Sequence, residues 1–237
     1  MKIAIIGYGK MGHEIEAIAR DRGHDIPLII DIENRSDLSS SKMKDIDVAV
    51  EFSSPDAAYD NIIACIGAGV PVVSGTTGWL EHWDEVEKLC RENNSGLFYA
   101  SNFSIGVNIL FALNKKLASI MKKFPAYEVS MEEVHHVHKK DAPSGTAITL
   151  ANQIVEEIPS KDGWSLNSSD PTKVYIESRR EGEVPGYHAV SYNSDEDSLT
   201  ISHDAKSRKG FATGAVLAAE YMAGKTGIHS MNDMLKF

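Results

Sequence analysis

The sequence predicts an α/β chain in which a parallel sheet, wound with helices on both faces, is joined to a smaller α+β half. Three observations predict it. Apolar runs suited to strands covered on both faces alternate with helical stretches through the first hundred residues. A glycine-rich turn joins the first strand to the first helix. Beyond residue 125 the pattern changes to short strands of alternating character, interrupted by a single helical stretch.

The first strand is Ile3-Ala4-Ile5-Ile6, followed at once by Gly7-Tyr8-Gly9-Lys10-Met11-Gly12 and a helical pattern running to Arg22. Strand, glycine turn, helix is the context that gives a G-x-G-x-x-G run meaning as a dinucleotide loop of the Rossmann type. Gly7 permits the tight turn, Gly9 lets backbone approach a pyrophosphate, and Gly12 lets the helix pack close to the strand. The second strand, Pro27-Leu28-Ile29-Ile30, ends in Asp31, about 20 residues beyond the loop, where a carboxylate that grips a ribose is expected. Asp31 favours NADH, while Lys10 or Arg35 could accommodate a 2′-phosphate, so NADH or NADPH is the expected cofactor, with NADH at least as good.

Further strands are read at Asp47-Val48-Ala49-Val50-Glu51, Pro71-Val72-Val73 and Leu97-Phe98-Tyr99, with helices over about 55–68 and 80–93. Ligands of a doubly wound sheet sit beyond the carboxyl ends of its strands, which directs attention to Gly75-Thr76-Thr77-Gly78 and Ala100-Ser101-Asn102-Phe103 as cofactor loops. Phe52-Ser53-Ser54-Pro55 reads as an ordinary connection. A helix with Leu110, Leu113, Leu117, Ile120, Met121 and Phe124 on its apolar positions follows, read as core and ended by Pro125.

The second half is expected to hold a strand near 126–136, a helix from Gly145 to Glu157, and strands near 173–179, 187–193 and 198–204, the last two joined by a turn at Asn193-Ser194-Asp195-Glu196-Asp197. The chain then returns through Arg208-Lys209-Gly210 to a small-residue helix on the first sheet. The expected division is 1–104 with 209–237 for the dinucleotide, and 105–208 for substrate and oligomerisation, with crossing points near 104 and 209 as hinge candidates. A mixed sheet left open on one face tends to be covered by another subunit.

Composition narrows the function classes. With 237 residues, 42% of them hydrophobic, the chain has room for two modest domains, and a net charge of -10 argues against sequence-independent nucleic-acid binding. Cys65 and Cys90, each in a helical pattern, offer neither a disulfide framework nor a cysteine zinc site, which suits a reducing cytoplasm. The opening Met1-Lys2-Ile3-Ala4-Ile5-Ile6 is too short an apolar run for a signal peptide, and no later run reaches the roughly 20 residues of a membrane span. Cytoplasmic location without membrane or nucleic-acid partners is the expectation.

The richest stretch for chemistry is His135-His136-Val137-His138-Lys139-Lys140-Asp141-Ala142-Pro143-Ser144-Gly145-Thr146-Ala147. Histidines exchange protons near neutral pH, lysine supplies fixed positive charge, and Pro143-Ser144-Gly145-Thr146 marks a helix start whose N–H groups favour an anion. In an extended strand His135 and Lys139 would stand roughly 13 Å apart at about 3.3 Å per residue, so the chain must curl after His136 to bring them to one small dicarboxylate.

The run H-H-x-H-K-x-D-A-P-S-G-T-A resembles the substrate signature of bacterial dihydrodipicolinate reductases, now called 4-hydroxy-tetrahydrodipicolinate reductases. Gly75-Thr76-Thr77-Gly78 and Asn102-Phe103-Ser104 through Asn108 resemble the nicotinamide-side loops of the same family. The resemblance implies a homotetramer that reduces a cyclic imine dicarboxylate in lysine and diaminopimelate synthesis, with loss of a 4-hydroxyl as water. It implies His135 as proton donor, Lys139 as donor or charge stabiliser, and His136, Lys139, Gly145 and Thr146 as carboxylate binders. His138, His188 and His203 read as surface or structural histidines, and Arg208 as a candidate substrate neighbour. No metal is expected. Open alternatives are a metal hydrolase built on His136 and His138, which lacks an obvious third ligand, a nucleotide-binding redox sensor, and a dehydrogenase for another small amino or keto acid.

Overall fold

The computed structural model describes residues 1–167 and 169–237. In chain order the elements are β1 (Lys2–Ile6), α1 (Lys10–Asp21), β2 (Asp25–Ile30), a 3-10 stretch (Ile32–Asp37), α2 (Ser40–Met43), β3 (Val48–Glu51), α3 (Pro55–Gly67), β4 (Val72–Ser74), a 3-10 turn (Leu80–His82), α4 (Trp83–Glu92) and β5 (Gly96–Tyr99). There follow α5 (Ile105–Met121), β6 (Glu128–His135), α6 (Gly145–Glu157), β7 (Gly163–Ser165), β8 (Lys173–Arg180), β9 (Tyr187–Asn193), β10 (Ser198–Asp204), α7 (Lys209–Met222), β11 (Gly227–His229) and α8 (Met231–Leu235). They form two compact units, Met1–Ser104 with Lys209–Phe237, and Ile105–Arg208.

The first unit holds a six-stranded sheet of order β11-β5-β4-β3-β1-β2, every pair parallel. Its central strands are apolar on both faces because helices cover both. Ala4, Ile6, Ala49, Val72 and Leu97 pack with Ala58, Ile62, Cys65 and Ile66 of α3 and with Val86 and Cys90 of α4. Ile3, Ile5, Val48, Val50, Val73 and Phe98, equally buried, point the other way along their strands. On that side α7 packs on β3, β4 and β5 through Ala212, Gly214, Ala215, Ala218 and Ala219, and α1 packs on α7. Strand order reverses between β1 and β3, which makes their carboxyl ends the binding crevice of the sheet.

The second unit holds a mixed five-stranded sheet of order β10-β9-β6-β8-β7. β6 runs parallel to β8 and antiparallel to β9, and the β9–β10 hairpin closes where Ser194 N–H meets the Asp197 carbonyl at 2.9 Å. Helices α5 and α6 cover one face, with Leu110, Ala118, Leu150, Ala151 and Ile154 on Val129, Met131, Val174, Ile176, Val190 and Tyr192. The other face presents Ser130, Glu132, Tyr175, Glu177, Arg179, Ser191 and Thr200, a polar surface in which Ser191 and Thr200 hydroxyls bond at 2.8 Å.

The structure corrects the reading of α5. The helix stops at Met121, and Val107, Leu110, Asn114, Ala118 and Met121 form its buried stripe, whereas Leu113, Ile120 and Phe124, read as core, are exposed. A stripe at helical spacing buries only one side, and the helix carries more apolar residues than that side uses. The short elements β7, β11 and α8, and the helical turns between β2 and β3, add to the elements expected.

Candidate active site

In the first unit the glycine loop meets the physical demands of a pyrophosphate cradle. Gly7 has φ +91°, and a side chain there would lie 2.1 Å from the Phe52 carbonyl oxygen. A Cβ at Gly12 would stand 2.3 Å from the Gly7 carbonyl oxygen, so α1 starts hard against the loop, while one at Gly9 would meet nothing within 4 Å. The approach to the start of α1 is therefore open backbone, which suits a phosphate at a helix N-terminus. A cavity of about 520 Å³ opens at this crevice and is lined by Gly7, Tyr8 and Gly9 after β1, by Asp31, Ile32 and Arg35 after β2, and by Ser53 and Ser54 after β3. Arg35 pairs with Asp60 at 2.8 Å, and the Tyr8 hydroxyl is bonded to Glu16 on α1. Lys10 is exposed at the start of α1.

A second cavity of about 240 Å³ brings Met11, Ser53, Gly75, Thr76 and Thr77 together. Beneath it lies Glu51, fully buried at the end of β3, which accepts hydrogen bonds from the Ser74 hydroxyl at 2.7 Å, the Thr76 hydroxyl at 2.9 Å, the Ser53 N–H at 3.1 Å and the Ser53 hydroxyl. Thr76 also accepts from the Ser53 N–H at 2.8 Å and gives its carbonyl to the Trp79 indole, also at 2.8 Å, so its side chain and carbonyl serve the loop itself. The Phe52 ring fills the space above Gly75 and packs on Phe103 with centroids 5.4 Å apart. Phe103 is buried beside Phe98, Ala100 is nearly so, and Ser101 is exposed, with Asn102 accepting the Ser104 N–H at 2.9 Å. Phe52, read from sequence as part of an ordinary connection, is thus what the loops after β1, β4 and β5 pack on.

In the second unit the covered face of the sheet changes character at one end. Its first rows are apolar. The next, formed by residues paired across β8, β6, β9 and β10, is Ser178–Glu133–His188–His203, and beyond it His135 pairs with Arg180. Glu133 is fully buried. It accepts from the Ser178 hydroxyl at 2.6 Å, from the Ser144 N–H at 3.1 Å to each oxygen, and from the Arg180 guanidinium at 3.2 Å. Burial pushes its carboxyl up, but the Ser144 and Ser178 donors, with the His135 imidazole after them, outweigh that and hold it below the usual glutamate value.

His135 ends β6, 7% exposed, with Nδ1 3.4 Å from Glu133 Oε2. Among the described residues that atom has no partner within hydrogen-bond geometry, so the contact is a close approach that becomes an ion pair when the ring is protonated. Burial lowers the imidazole pKa, the charges of Lys139 and Arg180 lower it further, and Glu133 opposes both. A side chain on Gly186 would come within 3.2 Å of Nε2, so the absent Cβ leaves room at the ring edge that faces away from Glu133. His188 packs edge-on against His135 with centroids 5.0 Å apart, and its Nε2 lies 3.0 Å from the Ser144 hydroxyl. Burial, then the neighbouring His135, lowers its pKa to about 3, so it is neutral at physiological pH.

After His136 the chain turns, with the Lys139 N–H on the His136 carbonyl at 3.1 Å. Lys139 pairs with Asp141 at 2.8 Å, and that lysine holds the Asp141 carboxyl low against the opposing effect of burial. Ser144 caps α6, its hydroxyl accepting the Ala147 N–H at 3.2 Å, and Gly145 and Thr146 open the helix at the end where its dipole is positive. His136 is half-buried, whereas His138 is exposed and bound to Glu183 at 3.1 Å. Arg208 lies just past β10 and is exposed.

Sequence reasoning named His135, His136, Lys139, Gly145 and Thr146, which the structure brings onto one strand end, turn and helix start. It missed Glu133, Ser178 and Arg180 and set His188 aside. Glu133, His135 and His188 offer ligand-type atoms within 4.8 Å of one another, but Arg180 and two further donors already occupy the carboxylate, so the group is an ion-pair network whose charge is met within the protein.

A parallel sheet with an open glycine loop at its switch point, joined to a sheet that ends in a buried imidazole and a lysine, defines a nicotinamide-dinucleotide-dependent oxidoreductase. Residues 1–103 match the family described as "Dihydrodipicolinate reductase, N-terminus", and 106–235 match "Dihydrodipicolinate reductase, C-terminus". The chain belongs to the dihydrodipicolinate reductase family. It is 48% identical over 237 residues, 99% of this chain and 98% of the other, to the 4-hydroxy-tetrahydrodipicolinate reductase of Christiangramia forsetii. It is 36% identical to that of Methanocaldococcus jannaschii, over 80% of this chain and 71% of the other. A dipicolinate-bound dihydrodipicolinate reductase from Paenisporosarcina sp. TG-14 shares the fold with TM-score 0.79 over 98% of both chains, at 24% identity.

Proposed function

We propose that the chain reduces 4-hydroxy-tetrahydrodipicolinate to tetrahydrodipicolinate with loss of water, as a step of lysine and diaminopimelate biosynthesis. The observation that carries this reading is the buried His135 imidazole, set on one strand end with Lys139 on the following turn and the start of α6 beyond it. Residues 1–104 with 209–237 hold the dinucleotide, and 105–208 hold the substrate. Gly7, Gly9, Lys10 and Gly12 receive the pyrophosphate, with Tyr8 and Met11 beside it; Asp31 meets the adenosine ribose; Gly75, Thr76, Thr77 and Ala100 through Phe103 form the nicotinamide-side loops, Thr76 and Phe103 through their backbone.

Loss of the 4-hydroxyl with a proton from the adjacent ring carbon, as water, leaves a conjugated imine, to which bound reduced nicotinamide would supply hydride. His135 donates a proton to the enamine-like carbon this leaves, from the Nε2 edge that Gly186 keeps clear. Lys139 exchanges Asp141 for a substrate carboxylate and steadies developing negative charge, while His136, Gly145 and Thr146 hold the carboxylates. In the free protein burial, then the charges of Lys139 and Arg180, lower the His135 pKa against the pull of Glu133. A dianionic ligand offsets those two cations, so the donor acquires its proton as substrate binds.

Asp31 in the larger cavity and the engagement of Arg35 by Asp60 support NADH as at least as good a reductant as NADPH. The open polar face of the mixed sheet supports a homotetramer assembled through it, which sedimentation as a stable monomer would overturn. The buried Cys65 and Cys90 suit a reducing cytoplasm. A coupled assay with synthase-generated substrate, run separately with NADH and NADPH, tests the reading: oxidation of either coenzyme that depends on the substrate supports it, and its absence with both sinks it.

A further inference from the structure

We infer that Glu133 is a positioning residue for the proposed reduction: from its buried site beside the Nδ1 of His135 it keeps a proton on the imidazole and ties that imidazole to the start of α6. The inference rests on His135 being the proton donor, and it goes beyond that assignment by naming the group that makes it a competent acid.

Three features of the carboxylate carry it. First, Glu133 and His135 lie two residues apart on β6, so the pleat sends both side chains to the same face, where Oε2 and Nδ1 are 3.4 Å apart. An anion on that side favours the tautomer with its proton on Nδ1, leaving Nε2 as the working atom, and stabilises the imidazolium. Second, Glu133 is held as an anion although buried, because Ser178, the Ser144 amide and Arg180 all donate to it. Third, the Ser144 amide belongs to the residue that caps α6. One carboxylate therefore fixes the distance between the proton donor and the helix start that cradles the ligand's negative charge.

The other charges around His135 all act against protonation except one. Lys139 on the turn and Arg180 on β8 repel it, Asp141 on the turn attracts it, and His188 on β9, which itself faces His203 on β10, is neutral. Lys139 and Asp141 pair with each other, so Glu133 is the group that sustains the acid.

The test compares Glu133→Gln, which keeps size and an acceptor but removes the charge, with Glu133→Asp, which keeps the charge, and with His135→Gln. Turnover is followed from pH 5 to 9, with coenzyme affinity from fluorescence titration and thermal midpoints as controls. For Glu133→Gln the alkaline limb of kcat moves to lower pH by about one unit or more, so the loss relative to the parent grows about tenfold from pH 5 to pH 9, at unchanged coenzyme affinity. Glu133→Asp restores part of the shift. A loss by the same factor at every pH, or an unmoved limb, overturns the inference. An active His135→Gln instead overturns the proton-donor reading on which it rests. Should Glu133→Gln fail to fold, the 15N shifts of His135 in the unsubstituted protein, assigned by difference from His135→Gln, decide: Nδ1 carrying the proton of the neutral ring supports the inference, and a bare Nδ1 overturns it.

Discussion

Two glutamates, Glu51 in the first unit and Glu133 in the second, are both completely buried at the ends of central strands, and they differ in what surrounds them. Every donor to Glu51 is a neutral hydroxyl or amide, from Ser53, Ser74 and Thr76. Glu133 has a serine hydroxyl and an amide too, but also a guanidinium and two imidazoles within 4 Å. A buried carboxyl met only by groups that cannot titrate acts as a staple: it ties the loops after β3 and β4 into one shape. A buried carboxyl beside imidazoles can also hold a proton in place, because its charge changes the protonation of its neighbours. Burial alone does not separate scaffold from chemistry; the titratability of the partners does.

The sharpest way to break that contrast is at the group Glu133 serves. His135→Gln should lower turnover by about 10²–10⁴ while coenzyme affinity stays within a factor of about two, measured by steady-state kinetics and fluorescence titration. Turnover near that of the parent would reduce the Glu133 network to a second staple. Glu51→Ala should behave oppositely. It strands the hydroxyls of Ser74 and Thr76 in the interior, costs about 2–3 kcal/mol in denaturant unfolding and weakens coenzyme binding, yet leaves the shape of the pH profile alone. A displaced pH limb in Glu51→Ala would show that the two carboxyls are not different in kind.

The most gradual effect, spread over several pH units, sharpens the comparison through stability. His188 is held near 3 in the folded protein against an ordinary value of about 6.5, so between those limits the unfolded chain binds more protons and stability rises with pH. Glu133, also lowered, acts with the same sign below its ordinary value. Acidification from about pH 6.5 toward 3 should therefore destabilise the protein by up to about 1.4 kcal/mol per unit from His188, and His188→Gln should flatten that slope in urea melts. An unchanged slope would show that His188 titrates normally.

Where a local signal and a periodic pattern agreed, the sequence was readable. The Pro143-Ser144-Gly145 start located α6 to the residue, and the alternation of 187–193 and 198–204 located the β9–β10 hairpin. β7 and β11 were not readable, since each is three residues long and exists only because a partner strand supplies its hydrogen bonds. The exposed stripe of α5 was misjudged because an apolar residue at helical spacing does not say which side of the helix is covered. In the site, Glu133 left a trace, two residues before His135 on one strand face. Ser178, Arg180 and His188 left none that could be joined to it, because residues 45, 47 and 55 positions away meet Glu133 only through strand register, which long-range pairing decides.

That register has a consequence for how the molecule tolerates change. Because side chains alternate along a strand, one residue inserted into the middle of β9 would rotate His188 out to the polar surface and bring its neighbour inward, while the ladder of backbone bonds re-formed almost intact. Length variation in these strands is therefore visible to selection through turnover before it is visible through folding, whereas the loops at the far end of the same sheet are free to lengthen.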